Sequence, residues 1–205
     1  MSCDLAVVNA LPSQDATAEA VVVSGRTESN GFALAGAKIT WLSQAAMSTW
    51  ATLLARPEDT DEWLPASLGT RLAERLDATH LYQQNDLSLL GGLVRIQRQA
   101  VVAIHWEQVD SSSVRNCWWV EDPTAWKATL ARWPDESEFI LHGQGGWDVH
   151  PTTGGVSISY AFWTEARSML PQIQAWGMSR TLPDLAKAFE AQALRVEATR
   201  PGSVP

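Results

Sequence analysis

The sequence predicts an α+β domain in which a curved antiparallel β-sheet wraps around a long C-terminal helix, with small helices after the first strands. Its clearest strand spans residues 156–162, where apolar side chains occupy every second position and smaller ones lie between them. Side chains at alternate positions share one face of a strand, so one face of this strand must be covered. The cover is predicted directly downstream, because Leu170-Pro171 precedes a long helical stretch and proline is favoured in the first turn of a helix.

Two strands and a helix are predicted at the beginning of the chain. Residues 20–23 and 33–41 have strand character on either side of an Asn-Gly turn, which indicates a hairpin. Ser43 is a favourable N-cap, and apolar residues at helical spacing follow it until Pro57. Residues 62–65 then form a loop or a second short helix.

The middle of the chain predicts further strands and a short helix. Residues 70–76 and 79–84 have strand character, residues 93–109 are the longest strand candidate, and residues 114–121 return antiparallel to it. Asp122-Pro123 supplies an N-cap and a first-turn proline, so a short helix is predicted next. This helix interrupts the sheet.

The chain is expected to form one domain, large enough for a full core and an internal cavity. Residues 139–142 resume the sheet and lead into a hairpin whose turn is predicted at residues 151–155. The folded domain is predicted over residues 18–196, between a flexible arm at residues 1–17 and a tail at residues 197–205.

The terminal helix is predicted to be interrupted. It covers residues 171–196, with an apolar stripe on one side and Glu190 among the residues that face outwards. Pro183 lies well inside this stretch and cannot donate a hydrogen bond to Ser179. We therefore expect a kink or break between about residues 177 and 182, and a cover made of two helical pieces.

Composition argues against nucleic acid as a partner. The 205 residues carry 15 basic and 23 acidic side chains, a formal charge of −8, and no basic run. Phosphate binding depends on clustered Lys and Arg, which this chain lacks. Eleven tryptophans either fill a core or line an apolar pocket, where the ring supplies contact area and its N–H a directional donor. Both alternatives stay open.

Cysteine usage and targeting signals say little about the compartment, whether cytoplasmic or periplasmic. Cys3 and Cys117 are too few for a disulfide framework and lack a metal or redox spacing. No apolar run approaches the length of a membrane span, so we expect a soluble domain. No basic leader precedes the first apolar run, so no secretory signal is predicted. If Met1-Ser2 is a cloning remnant, Cys3 would begin a mature lipoprotein.

Catalytic and metal-binding candidates are weak. His105 and Glu107 share one face of the long strand, as a base and its orienting acid would. No nucleophile is placed beside them, so an exposed polar face is the favoured interpretation and no catalytic residue is predicted. His142, Asp148 and His150 suit a metal by type but lack a recognised spacing, so no metal or other cofactor is predicted.

Arg98 stands out on the long strand. It shares a face with Val102, Ile104 and Trp106, so a buried cation there would need a carboxylate, a carbonyl or a ligand headgroup. The alternative is that Arg98 lies at the solvated end of the strand.

Several short motifs occur in a recognisable order and spacing. They are Glu62-Trp63-Leu64-Pro65, Arg98, Gly146-Trp147 with Pro151 and Gly155, Tyr160, and Leu170-Pro171. With the order of the elements, they resemble the START-like, or birch-allergen-like, helix-grip superfamily over roughly residues 18–196. They are more similar to the START (lipid-transfer) signatures than to those of the polyketide cyclases. The chain departs from the family pattern at Gln99, where an aspartate is common, and at residues 164–168, which lack an Asp-Pro-x-Gly-like turn.

The resemblance implies a cavity between the sheet and the terminal helix. Such a cavity would bind or transport a lipid, a sterol or a similar hydrophobic small molecule without catalysis. Transient membrane contact is a further prediction, and the oligomeric state is open. One alternative is a polyketide cyclase or hydrolase-like enzyme of the same superfamily. Another is an interaction module whose pocket is filled by its own tryptophans.

The predicted ligand-binding residues combine one cation with apolar and aromatic side chains. They are Arg98, Val102, Ile104, Trp106, Trp118, Trp147, Ile158, Tyr160, Phe162, Ile173, Trp176 and Phe189. An apolar loop at residues 87–92, with Leu87, Leu89 and Leu90, is predicted either to gate the cavity or to pack permanently on the core as a plug.

Overall fold

A computed structural model describes residues 11, 15–17, 19–29, 32–64, 67–75, 78–89, 94–108, 112–132, 138–165 and 170–199. The strands are β1 Val21–Ser29, β2 Phe32–Ser43, β3 Ser67–Arg75, β4 Thr79–Leu89, β5 Val94–Gln108, β6 Val114–Glu121, β7 Glu138–Phe139, β8 Gly143–Thr152 and β9 Gly155–Glu165. The α-helices are α1 Met47–Leu54, α2 Lys127–Leu130 and α3 Pro171–Ala198, and two 3-10 helices span Pro57–Glu62 and Pro123–Trp126.

The strands form one sheet in the order β1-β2-β9-β8-β6-β5-β4-β3. All neighbours in this order pair antiparallel, and β7 pairs parallel with the start of β5. The sheet is curved and open, and α3 packs against β1 and β2. This confirms the predicted fold class. No helix in the described part of the chain is long and apolar enough to cross a membrane.

The hairpin of β8 and β9 follows the predicted alternation. Val156 and Ile158 are buried in the core shared with α3, together with Val149 of β8. Gly155 follows the turn between the two strands and has a φ of +144°, which residues other than glycine rarely adopt. A Cβ at this position would also clash with the Ser43 carbonyl.

The outer face of the sheet is covered near β9 by the beginning of the chain. Leu11 is buried in a cluster with Leu34 and Trp163, and the Leu42 N–H donates to the Thr17 carbonyl at 2.8 Å. Leu11 and Thr17 belong to the segment predicted as a flexible arm, so part of that segment contacts the sheet. Cys3, on which the lipoprotein hypothesis rests, lies outside the described residues.

The short helical segment after β6 covers the outer face of β4 and β5. Asp122 caps it as predicted, since its carboxylate accepts from the Thr124 N–H at 2.9 Å, and this bond lowers the pKa of Asp122. The ring of Trp126 lies 4.7 Å from that of His80. His80 pairs with Ala103, and paired residues share a face, so the helix covers the side of the sheet opposite α3.

Helix α3 is continuous through Pro183, so the predicted break into two helical pieces is wrong, while the alternative of a kink stays a prediction. A proline inside a helix costs about 3 kcal/mol. Here Met178, Leu182 and Ala186 are buried on both sides of the proline and hold the helix against the sheet. The Thr181 hydroxyl also contacts main-chain carbonyls of the preceding turn. Tertiary packing therefore outweighs the local penalty.

The start of α1 also differs from the prediction. Ser43 belongs to β2, and the N-cap position of α1 is Ala46, which has no capping side chain of its own. Glu197 of α3 contacts this end of α1, because its carboxylate accepts from the Ala46 N–H at 2.9 Å. The Ser43 hydroxyl instead accepts from the buried indole N–H of Trp50 at 2.8 Å.

Glu190 faces the sheet, which corrects the prediction that it faces outwards. Its carboxylate accepts from the Trp41 indole N–H at 3.2 Å, the Ser43 hydroxyl at 3.0 Å and the Gln44 main-chain N–H at 3.2 Å. These bonds connect α3 to the end of β2.

Candidate ligand-binding cavity

A cavity of about 310 Å³ lies between α3 and the concave face of the sheet. From the strands it is lined by Arg98, Ala100, Val102 and Ile104 of β5, by Asn116, Trp118 and Val120 of β6, and by Trp147, Tyr160, Phe162, Thr164 and Glu165 of β8 and β9. From α3 it is lined by Gln174, Met178, Leu185 and Phe189. The rest of its wall is Leu53, Leu54, Pro57, Thr60, Leu64, Gln83 and Ile140. It therefore spans the gap that α3 leaves over the central strands.

Eight of the predicted ligand-binding residues lie on the cavity wall: Arg98, Val102, Ile104, Trp118, Trp147, Tyr160, Phe162 and Phe189. Ile158 and Trp106 do not. Ile158 is fully buried in the core, and Trp106 is partly buried against it. That any of these residues contacts a ligand stays a prediction.

Ile173 and Trp176 are exposed and do not line the cavity, so their predicted placement is wrong. Their exposed fractions are 44% and 41%, and Gln174 and Met178 take their place on the wall. The reason is helical periodicity. Counting back in steps of four from the buried Leu182 gives 178 and 174 rather than 176 and 173.

One end of the cavity is aromatic. The ring of Trp147 stacks on Tyr160 at 4.4 Å between centroids and lies 4.6 Å from Phe189. Behind it, Trp41 and Trp50 are buried and contact the same cluster. Tryptophans therefore both fill the core and line the cavity: Trp41 and Trp50 are core residues, and Trp147 lies on the cavity wall.

Tyr160 carries a neutral hydroxyl in the aromatic wall. Burial raises the pKa of the Tyr160 phenol above its usual range, and the hydrogen bond from Trp118 acts in the opposite direction. The Trp118 indole can only donate, so the phenol oxygen accepts this bond. The pair fixes two rings of the wall to each other.

Gly145 allows the Trp118 ring to lie against the sheet. A Cβ at this position would lie 2.6 Å from the Trp118 ring and 2.6 Å from the Cβ of Phe162. A larger residue would push these rings towards the cavity. No local pattern in the sequence identifies Gly145, because its contacts come from neighbouring strands.

The opposite end of the cavity is polar. Arg98 pairs with Glu138 of β7 in the main chain, and residues 138–141 run from there to the end of β9. At that point the Leu141 N–H donates to the Glu165 carboxylate at 2.5 Å. Arg98 and Glu165 therefore lie at the same end, near the start of α3, whereas Phe189 lies further along the helix.

Gln174 is the buried polar side chain that α3 contributes to this end. It is 7% exposed, and its amide Nε2 donates to the Thr164 hydroxyl at 2.7 Å. Its Oε1 is buried, and no group in the described part of the chain donates to it. The sequence analysis missed Gln174, Thr164 and Glu165, although the periodicity of α3 could have identified Gln174.

The weak catalytic and metal candidates lie elsewhere. His105 has the strand parity of Val101 and Ala103, whereas Val102 and Ile104 line the cavity, so His105 faces away from it. Asp148 contacts Arg115 at 3.4 Å. Among the residues that the structure describes, no three metal-ligating side chains come together.

Part of the predicted gate loop belongs to a strand. Residues 87–89 belong to β4, where Leu87 pairs with Ile96 and Leu89 with Val94 in the main chain. Alternating pairing with β5 extends the strand through this apolar stretch, so these residues are not a loop. Leu90 and the rest of residues 90–93 lie outside the described residues, and both gate and plug stay predictions.

No family model and no curated protein matches the sequence. Solved structures do match. A fragment of the STAR-related lipid transfer protein from Xanthomonas axonopodis superimposes with a TM-score of 0.60 at 16% identity, over 91% of this chain and 97% of that one. Human StAR-related lipid transfer protein 5 superimposes with a TM-score of 0.63 at 10% identity, over 85% of this chain and 88% of that one. A START superfamily protein from Mycobacterium smegmatis superimposes with a TM-score of 0.54 at 14% identity, over 87% of this chain and 99% of that one. The chain folds as a START-like helix-grip domain.

Gln99, which occupies a position where the START pattern commonly has an aspartate, lies outside the cavity. Gln99 is 3% exposed, and its side-chain oxygen accepts from the Tyr82 hydroxyl at 3.1 Å. It has the opposite strand parity to Arg98, which lines the cavity. The missing aspartate therefore changes a contact on the outer face and leaves the polar end of the cavity as described.

Proposed function

We propose that this START-like domain binds and carries a hydrophobic small molecule in the cavity under α3, without catalysing a reaction. The observation that carries the proposal is the cavity itself, about 310 Å³ in volume, with mainly aliphatic and aromatic walls and a few polar groups, four of which (Arg98, Thr164, Glu165 and Gln174) lie at the end near the start of α3. Burial of hydrocarbon contributes about 0.8 kcal/mol per CH₂, so such walls favour an apolar ligand. A few polar groups then fix its orientation.

The ionisable groups of the wall support a carrier rather than a cyclase or hydrolase. In the described part of the wall they are Arg98, Glu165 and Tyr160. An arginine stays protonated in proteins, and burial keeps the Tyr160 phenol protonated by raising its pKa. Glu165 accepts a main-chain hydrogen bond from Leu141. A general acid–base reaction commonly uses a pair of proton-exchanging side chains, and the described wall has one carboxylate, Glu165, with no second carboxylate and no histidine beside it.

Native mass spectrometry of the purified protein, followed by organic extraction, tests the proposal. We expect a mass excess that disappears on denaturation and a matching hydrophobic compound in the extract. The denatured sample serves as the control. Protein that is always empty, with no change in tryptophan fluorescence across a panel of fatty alcohols, fatty acids and sterols, would contradict the proposal.

A further inference from the structure

We infer that the cavity takes a compact, neutral amphiphile that donates a hydrogen bond to the side-chain oxygen of Gln174. Its polar end lies at the start of α3, and its hydrocarbon body points towards Trp147 and Phe189. The inference rests on the proposed function, because it specifies the class of ligand bound at the same site.

The geometry of Gln174 carries the argument. Its amide Nε2 donates to the Thr164 hydroxyl at 2.7 Å. Its Oε1 is then left as a buried acceptor on the cavity wall, with no donor in the described part of the chain. A buried acceptor without a donor costs about 1–3 kcal/mol. A ligand hydroxyl or N–H at this position removes that cost.

The charges at the same end favour a neutral polar group. Among the described residues of the wall, Arg98 and Glu165 carry opposite formal charges, so their charges balance at this end. Both side chains also contact the main chain. Glu165 accepts from the Leu141 N–H at 2.5 Å, and Arg98 donates to the Gln97 carbonyl at 3.0 Å. An ionised headgroup would lose its hydration without a net attraction in return.

The volume limits the size of the ligand. An apolar cavity of about 150 Å³ binds benzene. At about 310 Å³, this cavity has roughly twice that volume and room for about a dozen carbon atoms. A single chain of medium length or a small fused-ring compound fits within this volume, whereas a lipid with two long chains would extend beyond it. The mass of the extracted compound tests this limit directly.

The hydrogen bond is tested with probes that differ in one donor. Isothermal titration calorimetry compares 1-decanol, which can donate, with its isomer nonyl methyl ether, which cannot, and with decanoate, which is ionised. We expect the wild-type protein to bind 1-decanol about fivefold more tightly than the ether, since one hydrogen bond contributes on the order of 1 kcal/mol. Decanoate should bind more weakly than 1-decanol.

Two variants locate the acceptor. Gln174→Met removes the oxygen but keeps the length of the side chain, and we expect it to bind 1-decanol and the ether equally. Gln172→Met is the matched control, because Gln172 is exposed on the same helix. It should retain the wild-type preference. The wild-type comparison needs no variant, so it stands even if Gln174→Met fails to fold.

The outcomes separate the inference from the proposed function. If the wild-type protein binds 1-decanol and the ether equally, a ligand donor is not needed, and the inference is wrong while the carrier function stands. A preference that persists in Gln174→Met assigns the acceptor to another group and also overturns the inference. Tighter binding of decanoate would overturn the neutral headgroup. If no probe binds, both the inference and the proposed function fail.

Discussion

At the scale of single residues, the buried phenol of Tyr160 makes a prediction about alkaline pH. An exposed tyrosine ionises near pH 10, and burial raises the pKa of Tyr160 above that range. A group with a raised pKa in the folded state contributes stability that is fully present below its unfolded pKa. This contribution is lost as pH rises, because the unfolded chain ionises first and folding then requires the phenol to be protonated.

The chain has two tyrosines, so the Tyr82→Phe variant isolates Tyr160. In the folded variant, we expect no tyrosinate absorbance as pH rises through about 10, where an exposed phenol titrates. The absorbance should appear only when the protein unfolds. The same variant in urea is the control and should titrate normally. A folded protein that shows tyrosinate absorbance at the ordinary pH would contradict a buried Tyr160.

At the scale of elements, Glu190 holds α3 on β2. It accepts from Trp41 and Ser43, which are 3% and 0% exposed, and from the Gln44 main chain. Glu190→Ala leaves these buried donors without their acceptor, so we expect a loss of about 3 kcal/mol in the free energy of unfolding. Glu190→Gln keeps one acceptor oxygen and should lose only about 1 kcal/mol.

Urea unfolding measures both variants, and Asp184→Ala on the same helix is the matched control. The Asp184 side chain is 76% exposed and contacts Lys187 at 3.4 Å, so its removal should change stability by less than about 0.5 kcal/mol. Equal stabilities of Glu190→Ala and Asp184→Ala would show that the Glu190 contacts do not hold the helix.

Local sequence signals predicted the elements but not the contacts between them. Alternation and turn residues predicted the sheet and the terminal helix, because those signals are local. The partners of Glu190 lie more than a hundred positions away in the sequence, so no local pattern distinguishes it from an exposed glutamate. The break at Pro183 was predicted from local chemistry, whereas the packing of Met178, Leu182 and Ala186 decides the outcome.

At the scale of the whole molecule, the position of α3 creates the cavity. The helix packs on β1 and β2 and leaves the concave faces of β5 and β6 uncovered. Strand parity predicted most of the wall residues from the strands, because it puts side chains such as Val102, Ile104 and Phe162 on the concave face of the sheet. Apart from Arg98, no local pattern predicted the polar end of the cavity. Thr164, Gln174 and β7 come from three separate elements that lie together only in the folded chain.

Filling the cavity is the most direct test that it is the binding site. Ala100 is 4% exposed and lies on the wall, so Ala100→Phe places a ring in the cavity. Ala191→Phe adds the same ring at an exposed position of α3 and is the control. In titrations with 1-decanol, we predict that Ala100→Phe binds at least about tenfold more weakly than the wild type. Ala191→Phe should bind as the wild type does. A folded Ala100→Phe protein with undiminished binding would contradict the cavity as the ligand site.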